Sequence, residues 1–292
     1  MCLMRTTFID NQMEQSFAND GYCVVNLLNP AELEEVRKGI KKLGFGIDSK
    51  NKFRISINQE PVEKKNQIFE ELSPVFQSVA DNYLQNYRLL RIAIFDKLPG
   101  GRDIRVHQHA NLVDESKYRS LAIWVPITDT TVEMGTLHVI KGSHTVFNHV
   151  RSPNDYEAFD DVSIKVIKKY STPLLLNAGQ AVILDDRLIH WSPPNKSSRI
   201  RTALQLELIP EEAELVIYYR TNNQELLKYA LNEKCYREAA PTNNKPDNLQ
   251  VIGELKQPQI SYNSRQFISM MQGINPDNST GKGNLFERLF NL

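Results

Sequence analysis

Apolar side chains recur at two different periods along this chain: helical through the first eighty residues, then close to alternating. Residues 29–44 (NPAELEEVRKGIKKLG) space Leu33, Val36, Ile40 and Leu43 three or four apart, which lines up one face of a helix. Asn29 is placed to cap its start, and Pro30 suits the first helical position, where no N–H is needed. A shorter polar helix is expected near 9–18, followed by an apolar strand, GYCVVNLL (21–28). A further helix over about 63–85 carries Ile68, Phe69, Leu72, Val75, Phe76 and Val79 on one side and charge on the other.

After residue 86 the segments become short, β-branched or aromatic, and broken by Gly, Pro, Asn and Asp. Strands are expected at 87–95, 103–109, 120–127, 135–140, 173–177, 180–184, 200–209 and 214–219. So many short strands after a set of helices predict a mainly β sandwich or barrel with helices on one outer face. From Arg220 the chain turns polar, with helix candidates at 222–233, 263–272 and 283–291. The expected organisation is therefore a β domain with N-terminal helices over 1–219. A mostly helical extension over 220–292 is expected to pack on it or to sit at a homodimer interface.

Composition removes several function classes. Thirty-five basic side chains balance 35 acidic ones, so the net charge offers no attraction to nucleic acid. No apolar run approaches the ~20 residues of a membrane span, and MCLMRTTFIDNQMEQ has no apolar stretch of the secretory kind. A soluble cytoplasmic protein is the expectation. Cys2, Cys23 and Cys235 are odd in number and far apart, which suits neither a disulfide framework nor a zinc site.

The histidines are unevenly distributed. His107, His109, His138, His144 and His149 fall close together, and His190 follows in LDDRLIHWSPPN at the end of an apolar strand. On a strand, residues two apart share a face, so His107 and His109 in RVHQHAN make a chelating pair, and His190 supplies a third imidazole from a distant strand. His144 is expected to fix a loop, His138 to be a core residue and His149 to be exposed. In IRTALQLELI the same alternation puts Arg201, Gln205 and Glu207 on one face, toward a barrel interior.

The stretches LAIWVPITDTTVEMGTLHVIKGSH (121–144) and NAGQAVILDDRLIHWSPPNKSSRIRTALQLEL (177–208), with FANDGYCVV (17–25) before them, resemble the phytanoyl-CoA dioxygenase-like family of iron(II)- and 2-oxoglutarate-dependent oxygenases. The resemblance implies a double-stranded β-helix, the jelly-roll or cupin-like core, with iron held by an H-x-D pair and a distal histidine. His107 matches the first ligand and His190 the distal one. The middle position departs: His109 stands where the family has Asp, which makes His107, His109 and His190 a three-histidine site. Asp114 or Glu115 is a weaker alternative source of a carboxylate. Three neutral imidazoles leave the charge of a ferrous ion uncompensated, where a carboxylate ligand would cancel one unit.

The resemblance also implies that Arg201 binds the far carboxylate of 2-oxoglutarate, with Ser192 assisting, Trp124 alongside and Lys97 upstream. Arg199 shares its parity, but the family pattern selects Arg201. The implied activity is oxidation of a C–H bond of a small organic substrate by dioxygen, with Fe(II) as cofactor and 2-oxoglutarate as co-substrate. The altered triad keeps two other readings open: an oxygenase of the same fold that needs no 2-oxoglutarate, and a homologue that binds a ligand without oxidising it.

Overall fold

A computed structural model of the chain describes residues 4–155, 157–238, 245 and 248–273. The N-terminal part runs α1 (Asn11–Asp20), β1 (Tyr22–Asn26), α2 (Pro30–Lys42), β2 (Phe53–Ile55), α3 (Ser56–Gln59) and α4 (Val62–Ala80). The central part continues β3 (Tyr87–Lys97), β4 (Ile104–His107), β5 (Leu121–Pro126), β6 (His138–Val139), α5 (Ser143–Val146), α6 (Ile164–Tyr170) and β7 (Thr172–Pro173). It closes with β8 (Gln180–Asp185), β9 (His190–Ser192) and β10 (Arg201–Pro210). Beyond it lie β11 (Val216–Arg220), β12 (Leu226–Ala230), α7 (Glu233–Glu238), β13 (Val251–Leu255) and α8 (Ser264–Met271).

The helices start where their sequence provides acceptors. The Asn29 side chain accepts the Ala31 and Glu32 N–H groups of α2, and Glu32 returns a bond to the Asn29 N–H at 2.8 Å. The apolar faces of α1, α2 and α4 pack through Phe17, Val36, Ile40, Ile68, Leu72 and Phe76 onto one face of a six-stranded sheet ordered β1-β8-β5-β10-β3-β2. Each of these side chains is nearly or fully buried, a gain of about 1.5–3 kcal/mol apiece over exposure.

The opposite face of that sheet looks onto a four-stranded sheet ordered β4-β9-β6-β7. Ala122, Trp124, Val182 and Leu184 from the large sheet pack with Leu137, Val139 and Leu174 from the β6–β7 region. All strand pairs in both sheets are antiparallel, so the core is the two-sheet jelly roll. Large aliphatic residues on one face of β5, β8 and β10 therefore meet helices, and those on the other face meet the second sheet. Every interior strand is buried on both sides, as the near-continuous burial of β5 and β10 records.

The C-terminal extension differs from expectation. The helix expected at 222–233 is instead β12, which pairs with β11 and β13 in a three-stranded sheet, and a helix begins only at Glu233. Leu226 and Tyr229 are both buried at a spacing of three, which mimics a helix. β12 pairs residue for residue with β11, and its register against β13 shifts between Lys228 and Tyr229 because β13 carries the extra residue. The extension is thus mixed in its described part and not mostly helical. It packs on the core: α8 inserts Phe267 among Phe147 and Phe159, and Tyr236 of α7 reaches the central cavity. The candidate helix at 283–291 lies outside the described residues. Among the described residues no helix is long and apolar enough to cross a membrane.

Candidate metal and anion site

The two sheets enclose a cavity of about 360 Å³. Its base is built by β4, β9, β10 and the turn that precedes β9. His107 closes β4 directly opposite His190, which opens β9. His109 lies two residues past the end of β4, so strand parity does not place it. Its backbone N–H instead donates to the carbonyl of Asp186 at 2.9 Å, which folds it back over the other two rings.

The three rings converge. His190 lies 4.2 Å from His107 and 4.6 Å from His109 between centroids, and the outer two are 5.6 Å apart. One nitrogen from each falls within 4.8 Å of the others, the only such cluster of histidine, cysteine or carboxylate ligands among the described residues. Every Nδ1 is engaged away from the cluster: His107 with the Arg105 carbonyl, His190 with the Leu188 carbonyl and His109 with the Asp186 carboxylate, each at 2.8 Å. With Nδ1–H donated outward, each Nε2 lone pair is left for a metal ion. Burial, with the neighbouring rings, holds His107 down to about 4 and His190 well below the usual histidine range, so both are neutral near pH 7. At His109 burial pulls the same way, but the hydrogen bond and charge of Asp186 outweigh it and the pKa rises. Three converging imidazole nitrogens, that of His190 buried and those of His107 and His109 partly so, fit a divalent transition metal.

Beside this cluster sits a second, cationic group. Arg201, at the start of β10, is 1% exposed and pairs across the sheet with Lys97 of β3. The guanidinium makes one hydrogen bond, from Nη1 to the Gly135 carbonyl at 3.0 Å, while Nε and Nη2 are buried with no partner. Gly135 holds that carbonyl in place with φ +70°, and a Cβ there would lie 2.3 Å from the Pro193 carbonyl oxygen. Lys97 donates from Nζ to Ser192 Oγ at 2.6 Å and to the Pro193 carbonyl at 2.8 Å. Burial and the adjacent Arg201 lower the lysine to about 6. The Trp124 ring lies 5.5 Å from the guanidinium carbon. A buried guanidinium with two unmet donors, beside the Lys97 amine and the Ser192 hydroxyl, forms a receptor for an anion, and its planar fork suits a carboxylate. Arg199 is exposed and takes no part.

Further polar side chains line the cavity. Arg91 and Glu207 form a buried ion pair at 2.7 Å, and the Tyr236 hydroxyl donates to the same carboxylate at 2.6 Å. Gln205 donates to Glu207 at 3.1 Å and stands 3.5 Å from His109 Nε2. Strand parity on β10 marks Gln205 and Glu207 as inward-facing; nothing in the sequence marks their partners or Asp186. The remaining histidines serve elsewhere. His144 bonds the Ala18 carbonyl at 3.1 Å and pins α5 to α1, and His138 packs on Trp191. His149, expected to be exposed, is half-buried and lines the cavity. Asp114 is tied to Ser116 and Lys117, and Glu115 to Arg151, so neither carboxylate joins the cluster.

The sequence profile of the family described as Phytanoyl-CoA dioxygenase (PhyH) matches residues 17–203, more than half of the chain. A Dictyostelium discoideum protein named as a phytanoyl-CoA dioxygenase domain-containing protein 1 homolog is 27% identical over 137 residues, which cover 44% of this chain and 48% of that one. The Arabidopsis thaliana phytanoyl-CoA dioxygenase is 27% identical over 194 residues, covering 61% and 67%. The match thus spans about half of one curated relative's length and two thirds of the other's. Among solved structures, the non-heme alpha-ketoglutarate-dependent epimerase SnoN from nogalamycin biosynthesis superposes with TM-score 0.52 at 15% identity, over 85% of this chain and 95% of its own. HygX from Streptomyces hygroscopicus, crystallised with nickel and 2-oxoglutarate, gives 0.51 at 15% identity over 70% and 88%. At such identities the superpositions speak for a shared fold. It is the profile match that decides, because it runs from within α1 through His107, His109 and His190 to just past Arg201: this chain belongs to the phytanoyl-CoA dioxygenase family.

Proposed function

We propose that this protein is an iron(II)- and 2-oxoglutarate-dependent oxygenase that oxidises a C–H bond of a small organic molecule, using His107, His109 and His190 as a three-histidine metal site. One observation carries the reading. A buried arginine with two unmet donors shares a single cavity with three imidazoles whose lone pairs converge. A dicarboxylate that chelates a metal at one end and needs a guanidinium at the other has both partners there.

When bound, iron together with 2-oxoglutarate and dioxygen supplies an oxidant for an unactivated C–H bond. The chain's own residues do the positioning. Arg201 receives the far carboxylate, with Ser192 and Lys97 offering further donors beside it. The imidazoles of His107 and His190 stay neutral, and all three rings are oriented through their outward Nδ1 hydrogen bonds. Ile55, Ile57, Phe95, Ile104 and Phe159 give part of the cavity wall an apolar surface, beside polar Asn58, Gln108, Asp155 and Glu157, and that part would hold a substrate's carbon skeleton near the metal. The substrate class follows only as far as those walls: a small molecule with an apolar body.

The test is succinate release. Purified protein loaded with Fe(II) anaerobically, then given air and 2-oxoglutarate with a panel of small apolar and amine- or hydroxyl-bearing substrates, is expected to form succinate in proportion to oxidised product. Product without succinate would replace the proposal with an oxygenase independent of 2-oxoglutarate. Binding of 2-oxoglutarate with no oxygen consumed on any substrate would leave a ligand-binding homologue.

Lys97 gives this reading a pH signature. Its pKa is lowered from 10.5 to about 6, so the free protein carries a neutral amine at pH 7.5. A carboxylate arriving against Arg201 offsets the repulsion and draws a proton onto Lys97. Above about pH 6 and below the raised pKa of Lys97 in the complex, 2-oxoglutarate binding should therefore take up a proton, and affinity should fall as pH rises, by at most about tenfold per unit. Calorimetry at pH 7.5 in buffers of different ionisation enthalpy reads this directly. A heat that does not change with buffer contradicts it, and Lys97→Met is expected to abolish the uptake.

A further inference from the structure

The three metal-facing histidines are not held alike. His107 and His190 each give Nδ1–H to a neutral backbone carbonyl two residues earlier in the chain, whereas His109 alone gives it to a carboxylate. That histidine is the one that stands where the family's pattern has an aspartate. We propose that Asp186 is a positioning residue that returns to the site, one hydrogen bond further out, the negative charge that the H-x-H pair removes. The inference rests on the three-histidine reading above.

Several features support it. Asp186 is 1% exposed, and its second oxygen, Oδ2, has no hydrogen-bond partner, so burying it is unfavourable unless a nearby cation compensates. The cations nearest His109 are already paired, Arg91 with Glu207 and Arg151 with Glu115, and Glu157 of the cavity wall faces His109 without a hydrogen bond to it. Residue 186 grips residue 109 twice, through its main-chain carbonyl at 2.9 Å and its carboxylate at 2.8 Å, which fixes both the ring's place and its tautomer. It also lies four residues before His190 in the same turn, so a single loop sets two of the three ligands. A carboxylate accepting from the outer nitrogen of a metal-bound histidine makes that ring a stronger donor, and losing such a partner commonly costs 10- to 100-fold in metal affinity.

The measurement is Ni(II) affinity, by competition with a chromogenic chelator, and the visible ligand-field spectrum of the Co(II) form. Asp186→Asn keeps the shape but removes the charge. It is expected to bind Ni(II) about 10- to 100-fold more weakly than wild type and to shift the Co(II) bands, while Asp186→Glu recovers part of the loss. In a His109→Asp background the sign reverses. There Asp186 faces a carboxylate ligand, so adding Asp186→Asn should leave affinity unchanged or raise it. This second comparison decides the matter even if Asp186→Asn alone does not fold. Equal affinity of wild type and Asp186→Asn, or an equal loss in both backgrounds, overturns the role of Asp186 and leaves the functional proposal standing. Wild-type protein that takes up no Ni(II) overturns both.

Discussion

Replacing His190 with alanine should remove metal binding more completely than any other single change in the molecule. His190 is the central ring of the three, 4.2 Å and 4.6 Å from its neighbours, and without it the remaining pair are 5.6 Å apart with no third donor between them. Loss of an outer partner of a metal-bound histidine already costs 10- to 100-fold, so loss of this ligand is expected to weaken Ni(II) binding by at least about 100-fold. Succinate formation at micromolar iron should fall to background with it. Thermal unfolding gives an independent readout: added metal raises the unfolding temperature of wild type because the ion binds the folded state alone, and should not raise that of His190→Ala. The variant removes a buried imidazole and leaves a small cavity, so its circular dichroism must first match wild type. A folded His190→Ala that binds Ni(II) as wild type does would show that the three rings are a structural cluster.

Much of this arrangement is legible in the sequence because strand alternation is a strong constraint when both faces of a sheet are buried. On β10 the same register that sends Leu204, Leu206 and Leu208 to the helices sends Arg201, Gln205 and Glu207 to the cavity. What alternation does not reach is anything fixed by a turn. His109 was expected to share a strand face with His107, yet β4 ends at His107, and His109 arrives by a backbone bond to Asp186 across 77 positions of sequence. No period links residues that far apart, and so the acid that holds the departing histidine was invisible. The same holds for the extension: the polar run at 222–233 reads as a helix by itself, and its pairing with β11 on one side and β13 on the other is what makes Leu226–Ala230 a strand. The ion pair of Arg91 and Glu207, completed by Tyr236 from α7, shows that residues beyond the profile match also shape the cavity.

Arg201 allows a prediction with opposite signs in two measurements, which separates a binding role from a structural one. A guanidinium this deeply buried, next to Lys97 and with Nε and Nη2 unpaired, is unfavourable in the free protein; burial brings its pKa down to about 10 against the opposing pull of Asp96, still charged at neutral pH. Asp96 offers little more, since its carboxylate is already engaged by the Thr202 hydroxyl at 2.6 Å and the Gly46 N–H at 2.9 Å. Arg201→Met fills similar space without the charge, and exchanging a poorly satisfied buried charge for a packed apolar group is often neutral or stabilising. In the absence of 2-oxoglutarate the variant should therefore be as stable as wild type, or more so by up to about 2 kcal/mol, in a denaturant titration. Its affinity for 2-oxoglutarate should move the other way. Truncating one partner of a buried, hydrogen-bonded charge pair costs about 2–5 kcal/mol, or roughly 30- to 5,000-fold in Kd. Arg201→Lys should recover only part of that, because an ammonium cannot present the planar pair of donors. A variant that loses stability without 2-oxoglutarate and keeps its affinity would mean that the bond to Gly135 is the residue's purpose and that the co-substrate lies elsewhere.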